Sequence, residues 1–262
     1  MRAANFLFIW ESRILFLGAG LKAESHSHYN ASFLVSTGEP FEIETENGRL
    51  KGLRCVLIAP NVYHELLAEK SQMIVLQLDP LSAEYLALAT ALGPEPIIVV
   101  DDPGPGFARA LGVLRDEPSC DKAAGFVKSL LSDLADYRST RTVDPRIQRL
   151  VALLKERISD RTSEQVSVLS LAPQVNLSPD RLMHLFKEEM GLPIRRYLLW
   201  LRLSRAVVLL QKDGMSLTEA AHAAGFADSA HLSRTFKEMF GIKPSFFFSD
   251  DRFIQVHQCE VW

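Results

Sequence analysis

Hydrophobic positions change their spacing along the chain. Up to about residue 80 they come in short runs rich in β-branched, aromatic and aliphatic residues: Asn5–Trp10, Arg13–Leu17, Ser32–Val35, Phe41–Glu44, Cys55–Ala59 and Met73–Leu78. Turn residues such as Gly18, Gly20, Thr37–Gly38 and Asn47–Gly48 separate them. Such runs predict β-strands. Asn47–Gly48 is the best tight-hairpin signal, because both residues tolerate the positive φ that such turns require. Many short strands at this spacing predict a barrel or sandwich. After Asp79–Pro80 the period turns helical. Leu81–Leu92 is stopped by Gly93–Pro94, and Phe107–Arg115 and Asp121–Tyr137 follow, the last with Phe126, Leu130, Leu131 and Leu134 on one face. Ile97–Val100 fits one more strand, and Asp101–Gly106 is a Pro/Gly loop. Polar Ser139–Asp144, ahead of Pro145, marks a domain boundary.

From Pro145 onward the pattern is helical and repeats. Leu182, Phe186, Lys187, Glu188 and Gly191 recur fifty residues later as Leu232, Phe236, Lys237, Glu238 and Gly241. A repeat of this size is one supersecondary unit used twice. Each copy reads as helix, tight turn, helix. In the first, Ser178 caps a helix with Pro179 at its first position, running to about Met190. Ser170 is the expected cap of the shorter helix before it, which places Pro173 in a first turn, where it breaks no internal bond. In the second copy Ser216 and Glu219 form a capping box, Gly225 fits the turn, and Asp228 or Ser229 caps a helix running to about Phe240. Leu182, Leu185, Phe186 and Met190 share one apolar face, as do Leu232, Phe236, Met239 and Phe240. The opposite faces carry Asp180, Arg181, His184 and Lys187, and Ala230, His231, Arg234 and Lys237. A helix showing Arg, His and Lys along one side can lie in the major groove, Arg donating to guanine O6 and N7 and Lys meeting phosphate. Between the copies, the segment from Pro193 to about Leu210 reads as one stiff helix of roughly 27 Å. That length holds two reading helices about one DNA turn, ~34 Å, apart. Arg195, Arg196, Arg202 and Arg205 give it a polar side.

Charge supports this division. Of 262 residues, 29 are Lys or Arg and 32 Asp or Glu, but residues 1–144 hold 13 against 19 while residues 145–249 hold 15 against 10. A polyanion therefore suits the C-terminal part better than the whole. The composition, 47% hydrophobic and 23% charged, excludes collagen-like and disordered classes. No apolar run reaches the ~18–20 residues that span a bilayer, so no membrane partner is expected. The short apolar start, before Glu11 and Arg13, lacks a signal-peptide cleavage pattern. Cys55, Cys120 and Cys259, odd in number and far apart, are expected to stay reduced, in a cytoplasmic protein.

Two strings, LFKEEMGLPIRRYLLWLRLSRAVVLL and LTEAAHAAGFADSAHLSRTFKEMFGIKPSFF, resemble the DNA-binding domain of the AraC/XylS family of transcriptional regulators. GFADSAHLSRTFKEMFGIKPSFF is similar to that family's signature, and the likeness covers about Pro145–Phe248. The resemblance implies base-reading positions at Asp180, Met183 and His184 and at Ala230 and Arg234. Met183 makes no bidentate base bond, so Arg181 and Arg234 take the larger share. It further implies a regulator, an activator by preference, that is not an enzyme, with promoter DNA, a small effector, a possible homodimer and RNA polymerase as partners. The expected fold is α+β. Residues 1–80 would form a cupin-like β-barrel and 81–144 trailing helices that complete the N-terminal domain. An all-α domain of two helix-turn-helix units joined by a long helix would follow over 145–248. The tail, 249–262, has enough apolar residues, among them Phe253, Ile254, Val256, Val261 and Trp262, to dock somewhere. Asp121–Tyr137 would either pair two copies or pack on its own strands.

Gly20-x5-His26-Ser27-His28, with Pro60 and His64 later, resembles the metal-binding pattern of cupin barrels, since three imidazoles on facing strands can hold a divalent transition metal. The pattern lacks the usual Glu after His28 and the Gly before His64. The expectation is therefore no cofactor, with His26, His28 and His64 as ligand-pocket or metal-binding residues in the alternative. A metal-dependent cupin enzyme fused to a helical domain is the competing function, and it leaves the fifty-residue repeat unexplained. Phe33, Val35, Phe41, Ile43 and Leu57 suit either a filled barrel or one that encloses a ligand.

Overall fold

The computed structural model describes residues 5–10, 12–79, 82–93, 95–134, 143–159, 167–212, 215–248 and 254–259. Pro80, Leu81, Pro94, Tyr137, the stretch 139–142, Phe253, Val261 and Trp262 lie outside them. The chain forms two compact units, Met1–Thr140 with Lys237–Trp262, and Arg141–Phe236.

The elements in chain order begin with β1 (Asn5–Ile9), β2 (Arg13–His26), β3 (Ala31–Ser36), β4 (Phe41–Thr45), β5 (Gly48–Leu53), β6 (Cys55–Ile58) and β7 (His64–Leu78). Then come α1 (Ala83–Leu92), β8 (Ile97–Val99), α2 (Phe107–Asp116), α3 (Cys120–Leu134), α4 (Pro145–Ser159), α5 (Val168–Leu171) and a 3-10 turn at Ala172–Val175. The rest are α6 (Pro179–Met190), α7 (Ile194–Lys212), α8 (Leu217–Ala223), α9 (Ser229–Phe240), α10 (Ser245–Phe248) and β9 (Ile254–Gln258).

Among the described residues the strands form one sheet in the order β8-β6-β3-β7-β2-β1-β9, with β4 joined to β7 and β5. Its axis is the antiparallel pair of β2 and β7, from Arg13 opposite Leu78 to His26 opposite His64. Both strands are longer than their hydrophobic runs. Gly18 and Gly20 read as breaks, but β2 passes through them with a register shift between Ala19 and Leu21, a bulge that keeps pairing while re-aiming the strand. The β4–β5 hairpin falls one residue earlier than expected: Thr45 faces Gly48, so Glu46 and Asn47 make the turn, and Gly48 carries the positive φ of 118°.

Strand alternation gives the sheet two different faces. Leu15, Leu17, Phe33, Val35, Leu76 and Leu78 join one core with Leu88, Leu111, Leu114, Phe126, Leu130 and Leu131 of α1, α2 and α3. Phe16, Leu34, Val75 and Gln77 point the other way, into a cavity. The apolar face of α3 is thus spent inside its own unit, with Phe126, Leu130 and Leu131 at most 1% exposed. This favours packing on its own strands over pairing two copies. Of the five residues set between a filled and a hollow barrel, Phe33, Val35 and Leu57 lie in the helix-facing core, and none of the five lines the cavity.

The tail docks: β9 runs parallel to β1, and the Cys259 N–H donates to Ile9 C=O at 2.9 Å. This corrects the expectation that all three cysteines stay reduced. Cys259 and Cys120 are disulfide-bonded with Cα atoms 5.5 Å apart, despite 139 residues of separation. Spacing along the chain could not show this, because a parallel strand from the far terminus makes the approach. Cys55 is buried, and burial, aided by the Asp102 charge, pushes its thiol up to about 12. Protein purified without reductant is therefore expected to show no fast-reacting thiol when native and one per chain when denatured. Reduction before denaturation should raise that to three, and a count above one in denatured, unreduced protein would contradict the pairing.

In the second unit, α4 buries Ile147, Leu150, Val151 and Leu154, and α6 and α7 bury Leu182, Phe186, Tyr197 and Leu203. The Phe186 and Tyr197 rings lie 5.6 Å apart, tilted by 52°, within the range of favourable aromatic pairs.

Candidate nucleic-acid interface and buried histidine cluster

The repeat seen in the sequence is also present in the hydrogen bonds. Asn176 and Gly225 both take left-handed φ, 55° and 82°. The next N–H in each copy returns to a carbonyl five residues back: Leu177 to Ala172 at 3.0 Å, and Phe226 to Ala221 at 2.9 Å. Asn is one of the few side chains that tolerate this conformation, so Asn176 is the local signal that could have marked the first-copy turn. Ser178 Oγ accepts from the Arg181 N–H and starts α6; Asp228 Oδ1 accepts from the His231 N–H at 2.6 Å and starts α9. Ser216 and Glu219 form the expected capping box. Hydrogen bonding from Ser216 holds the exposed Glu219 carboxyl below its ordinary range. The other short helix, α5, is capped by Ser167 rather than Ser170. Ser170 instead supplies the reciprocal side chain, and Pro173 falls in the 3-10 turn that follows.

Asp180, Arg181, Met183, His184 and Lys187 are all exposed on α6, Met183 by 44%. On α9, Ala230 and Arg234 are exposed. His231 is half-buried, edge-on to the Phe226 ring at 5.2 Å. Lys237 is half-buried, with its Nζ 2.7 Å from Glu24 Oε2, and that lysine holds the exposed Glu24 carboxyl below its usual range. The helical period separates the exposed side chains of α6 and α9 from the buried ones, but it could not show these two contacts, which come from residues distant in sequence or in the preceding turn. Between the copies, α7 runs 19 residues, roughly 28 Å at 1.5 Å per residue. Arg195 is exposed along it, and Arg196, Arg202 and Arg205 are half-exposed.

In the first unit the three sequence-predicted histidines come together. His26 ends β2 opposite His64 at the start of β7, and His28 follows two residues on. They are 5%, 3% and 3% exposed, and their ring centroids lie 4.4 Å (His26–His64) and 5.4 Å (both pairs with His28) apart. Each Nδ1 faces a main-chain carbonyl: His26 to Glu24 at 2.8 Å, His28 to Asn30 at 2.6 Å, His64 to Val62 at 3.0 Å. Ser32, buried beside them, has its Oγ 3.0 Å from His28 Nε2, a neighbour that no motif or spacing selects. Burial lowers the His26 imidazole to about 3, the His64 charge adding to the effect and the carbonyls of Glu24 and His64 opposing it. Burial likewise lowers His64, against its bond to Val62.

Two caps, two turns and two exposed helical faces define a pair of helix-turn-helix units. Residues 171–250 match the family model described as a helix-turn-helix domain. The C-terminal part of the chain is an AraC-family DNA-binding domain. The HTH-type transcriptional regulator GbdR of Pseudomonas aeruginosa is 37% identical over 103 residues, 39% of this chain and 27% of that protein. The arabinose operon regulatory protein of Escherichia coli is 30% identical over 105 residues, 40% of this chain and 35% of its own. The HTH-type transcriptional activator RhaS of Escherichia fergusonii is 39% identical over 101 residues, 38% and 35% of the two chains. The chain thus spans about a third or less of these relatives' length. Among solved structures, an apo variant of ToxT from Vibrio cholerae superposes with a TM-score of 0.60 at 13% identity, over 90% of this chain and 97% of that one. ToxT with an unsaturated fatty acid bound gives 0.55 at 15%, over 95% and 97%. The fold is therefore ToxT-like, a β-rich N-terminal part followed by a helical DNA-binding part. Among the described residues, no helix is long and apolar enough to cross a membrane.

Proposed function

We propose that the protein is a sequence-specific, DNA-binding transcriptional regulator whose N-terminal unit senses a small effector. The observation that carries this is the doubled unit: α6 and α9 begin at matched caps and each presents an exposed arginine, Arg181 and Arg234. In this reading α6 and α9 enter successive major grooves on one side of the duplex, with α7 as the stiff spacer. Asp180, Arg181, Met183, His184, Ala230 and Arg234 meet base edges, and Lys187 and Lys237 meet phosphates. His231 packs beneath the face rather than reading from it. The N-terminal strands act as a cupin-like barrel, and the effector shifts the population of DNA-competent arrangements through its differential affinity. Activation is the preferred outcome, in line with the description of RhaS, with RNA polymerase as the further partner and a homodimer as the assembly. The cytoplasm is the compartment on the ground of DNA binding alone, since the Cys120–Cys259 bond removes the support that reduced cysteines would give. ToxT, of the same fold, is described with an unsaturated fatty acid bound. The cavity here holds about 80 Å³, so an effector of that size requires it to open.

The test is salt-dependent binding to the DNA upstream of the protein's own gene, against a scrambled duplex. Lys187→Ala is expected to weaken binding to both and flatten the slope of log K against log salt by about one unit. Lys237→Ala should change the slope less, because its amine exchanges the Glu24 carboxylate for phosphate. Equal affinity for both duplexes would end the proposal.

A further inference from the structure

We infer that the Cys120–Cys259 disulfide is a redox switch. Its reduction by a dithiol frees the C-terminal strand β9, and with it the end of the proposed reading helix α9, from the sheet. The consequence for DNA rests on the reading given above; the release of β9 does not. The bond joins cysteines 139 residues apart, and the whole of the helical unit, Arg141–Phe236, lies between them. It therefore closes a covalent loop that contains that unit. Compartment and chemistry point the same way. A protein that works on DNA in a reducing cytosol holds a disulfide only transiently, and such bonds are there mainly redox-sensing or catalytic.

What the bond secures is otherwise loosely held. β9 is the outermost strand of the sheet and pairs with β1 over five residues, in the parallel arrangement that is less stable per residue. Ile254, Val256 and His257 are half-buried, and Gln255 and Gln258 are exposed. Cys259, at 7% exposed, is the first residue from Ile254 on that is fully buried. The His257 ring adds contacts with Phe8 and Phe6, with centroids 4.7 and 6.4 Å apart. An edge segment with so little buried apolar surface opens locally at low free energy. A covalent anchor directly after it prevents that.

The same stretch of chain carries a second anchor. The last residues of α9, from Lys237 on, belong to the strand unit. There the Glu24 N–H of β2 donates to Gly241 C=O at 2.9 Å, and Lys237 Nζ lies 2.7 Å from Glu24 Oε2. Gly241 sits so close to β2 that a Cβ would collide with the Glu24 carbonyl. While β9 is locked, the short connection keeps the end of α9 at high effective concentration beside β2, and Lys237 stays on Glu24. Once β9 leaves, the solvent-exposed Lys237–Glu24 pair is a weak hold, and the lysine is free to meet phosphate.

The step is thiol–disulfide exchange. One thiolate of the dithiol attacks a sulfur, breaks the S–S bond and expels the other cysteine as a thiolate. The reagent's second thiol then closes its own disulfide and releases the first cysteine. Two electrons pass to the protein, and its two sulfurs take up two protons. Cys120, half-buried at the start of α3, is the more open of the two cysteines, and buried Cys55 takes no part.

Full-length protein, oxidised or treated with dithiothreitol, tests the switch by amide hydrogen exchange and by binding to the upstream and scrambled duplexes. On reduction the amides of Ile254–Gln258 should lose protection by at least about tenfold. Affinity for the upstream duplex should rise about 5- to 150-fold, the usual range for coupled sites. The slope of log K against log salt should steepen by about one unit as Lys237 reaches phosphate. Cys259→Ser, shown to be folded by circular dichroism, should behave as the reduced form with or without dithiothreitol, and reoxidised wild type should regain its protection. Unchanged protection of β9 on reduction overturns the switch, whatever happens on DNA. Lost protection with upstream affinity unchanged overturns the regulatory link and leaves the DNA-binding reading intact. Equal affinity for both duplexes in both states defeats that reading instead, and the release of β9 then stands on exchange alone.

Discussion

Phe186→Ala is expected to destabilise the helical unit by about 3–5 kcal/mol, the range for deleting a large aromatic ring from a well-packed core. Phe186 is 0% exposed, and so is Tyr197, whose ring lies 5.6 Å away. The contact joins α6 to α7, the proposed reading helix to the proposed spacer. Truncation removes the buried ring and also leaves Tyr197 facing a void that two helices cannot close without shifting. In a unit of this size such a loss lowers the melting temperature by more than about 10 °C. Met183→Ala is the control. It lies on the same helix three residues earlier, but Met183 is 44% exposed, and stability should change by no more than about 0.5 kcal/mol. Calorimetry of the two variants reads the contrast. A Phe186→Ala loss below about 1 kcal/mol would mean that the inner and outer faces of α6 are the reverse of those described, since core truncations of this size fall well above it.

That contrast is legible in the sequence because a helix in contact with a core on one side must repeat its apolar residues at that core's spacing. Leu182, Leu185, Phe186 and Met190 are buried as the period requires, and Leu232, Phe236 and Met239 follow suit. Caps are legible for the same local reason: Ser178, Ser216 and Asp228 act within three residues of themselves. What stays hidden is non-local. The β9 strand pairs with β1 from the opposite terminus, and the Cys120–Cys259 bond follows from that pairing. The contacts that divert His231 and Lys237 from an open face come from Phe226 and Glu24. The full length of β2 and β7 is hidden too, because bulged strands carry glycines and polar residues that look like turns. For the histidines, spacing nominates the residues, but only the register of His26 opposite His64 brings the rings together.

Arg234→Ala is expected to cost roughly 1–3 kcal/mol of specific binding, about 5- to 150-fold in affinity, and to relax preference at one base pair. Arg234 is exposed near the middle of α9, four residues after exposed Ala230. In the docking proposed above, that small side chain lets the backbone approach the groove floor, where the Arg234 guanidinium is proposed to donate both bonds to guanine. The penalty should fall on the specific complex, since on a mixed sequence the guanidinium contributes only its charge. Arg234→Lys separates the two terms. It keeps the charge and so the salt slope, but as a point donor it lacks the fork that matches O6 and N7. Its specific affinity should fall towards that of Arg234→Ala while its binding to scrambled DNA stays at the wild-type level. The opposite pattern, with Lys restoring specific binding in full, would make Arg234 a phosphate contact. It would also rotate the proposed docking of α9 so that Arg234 faces the backbone rather than the base edges.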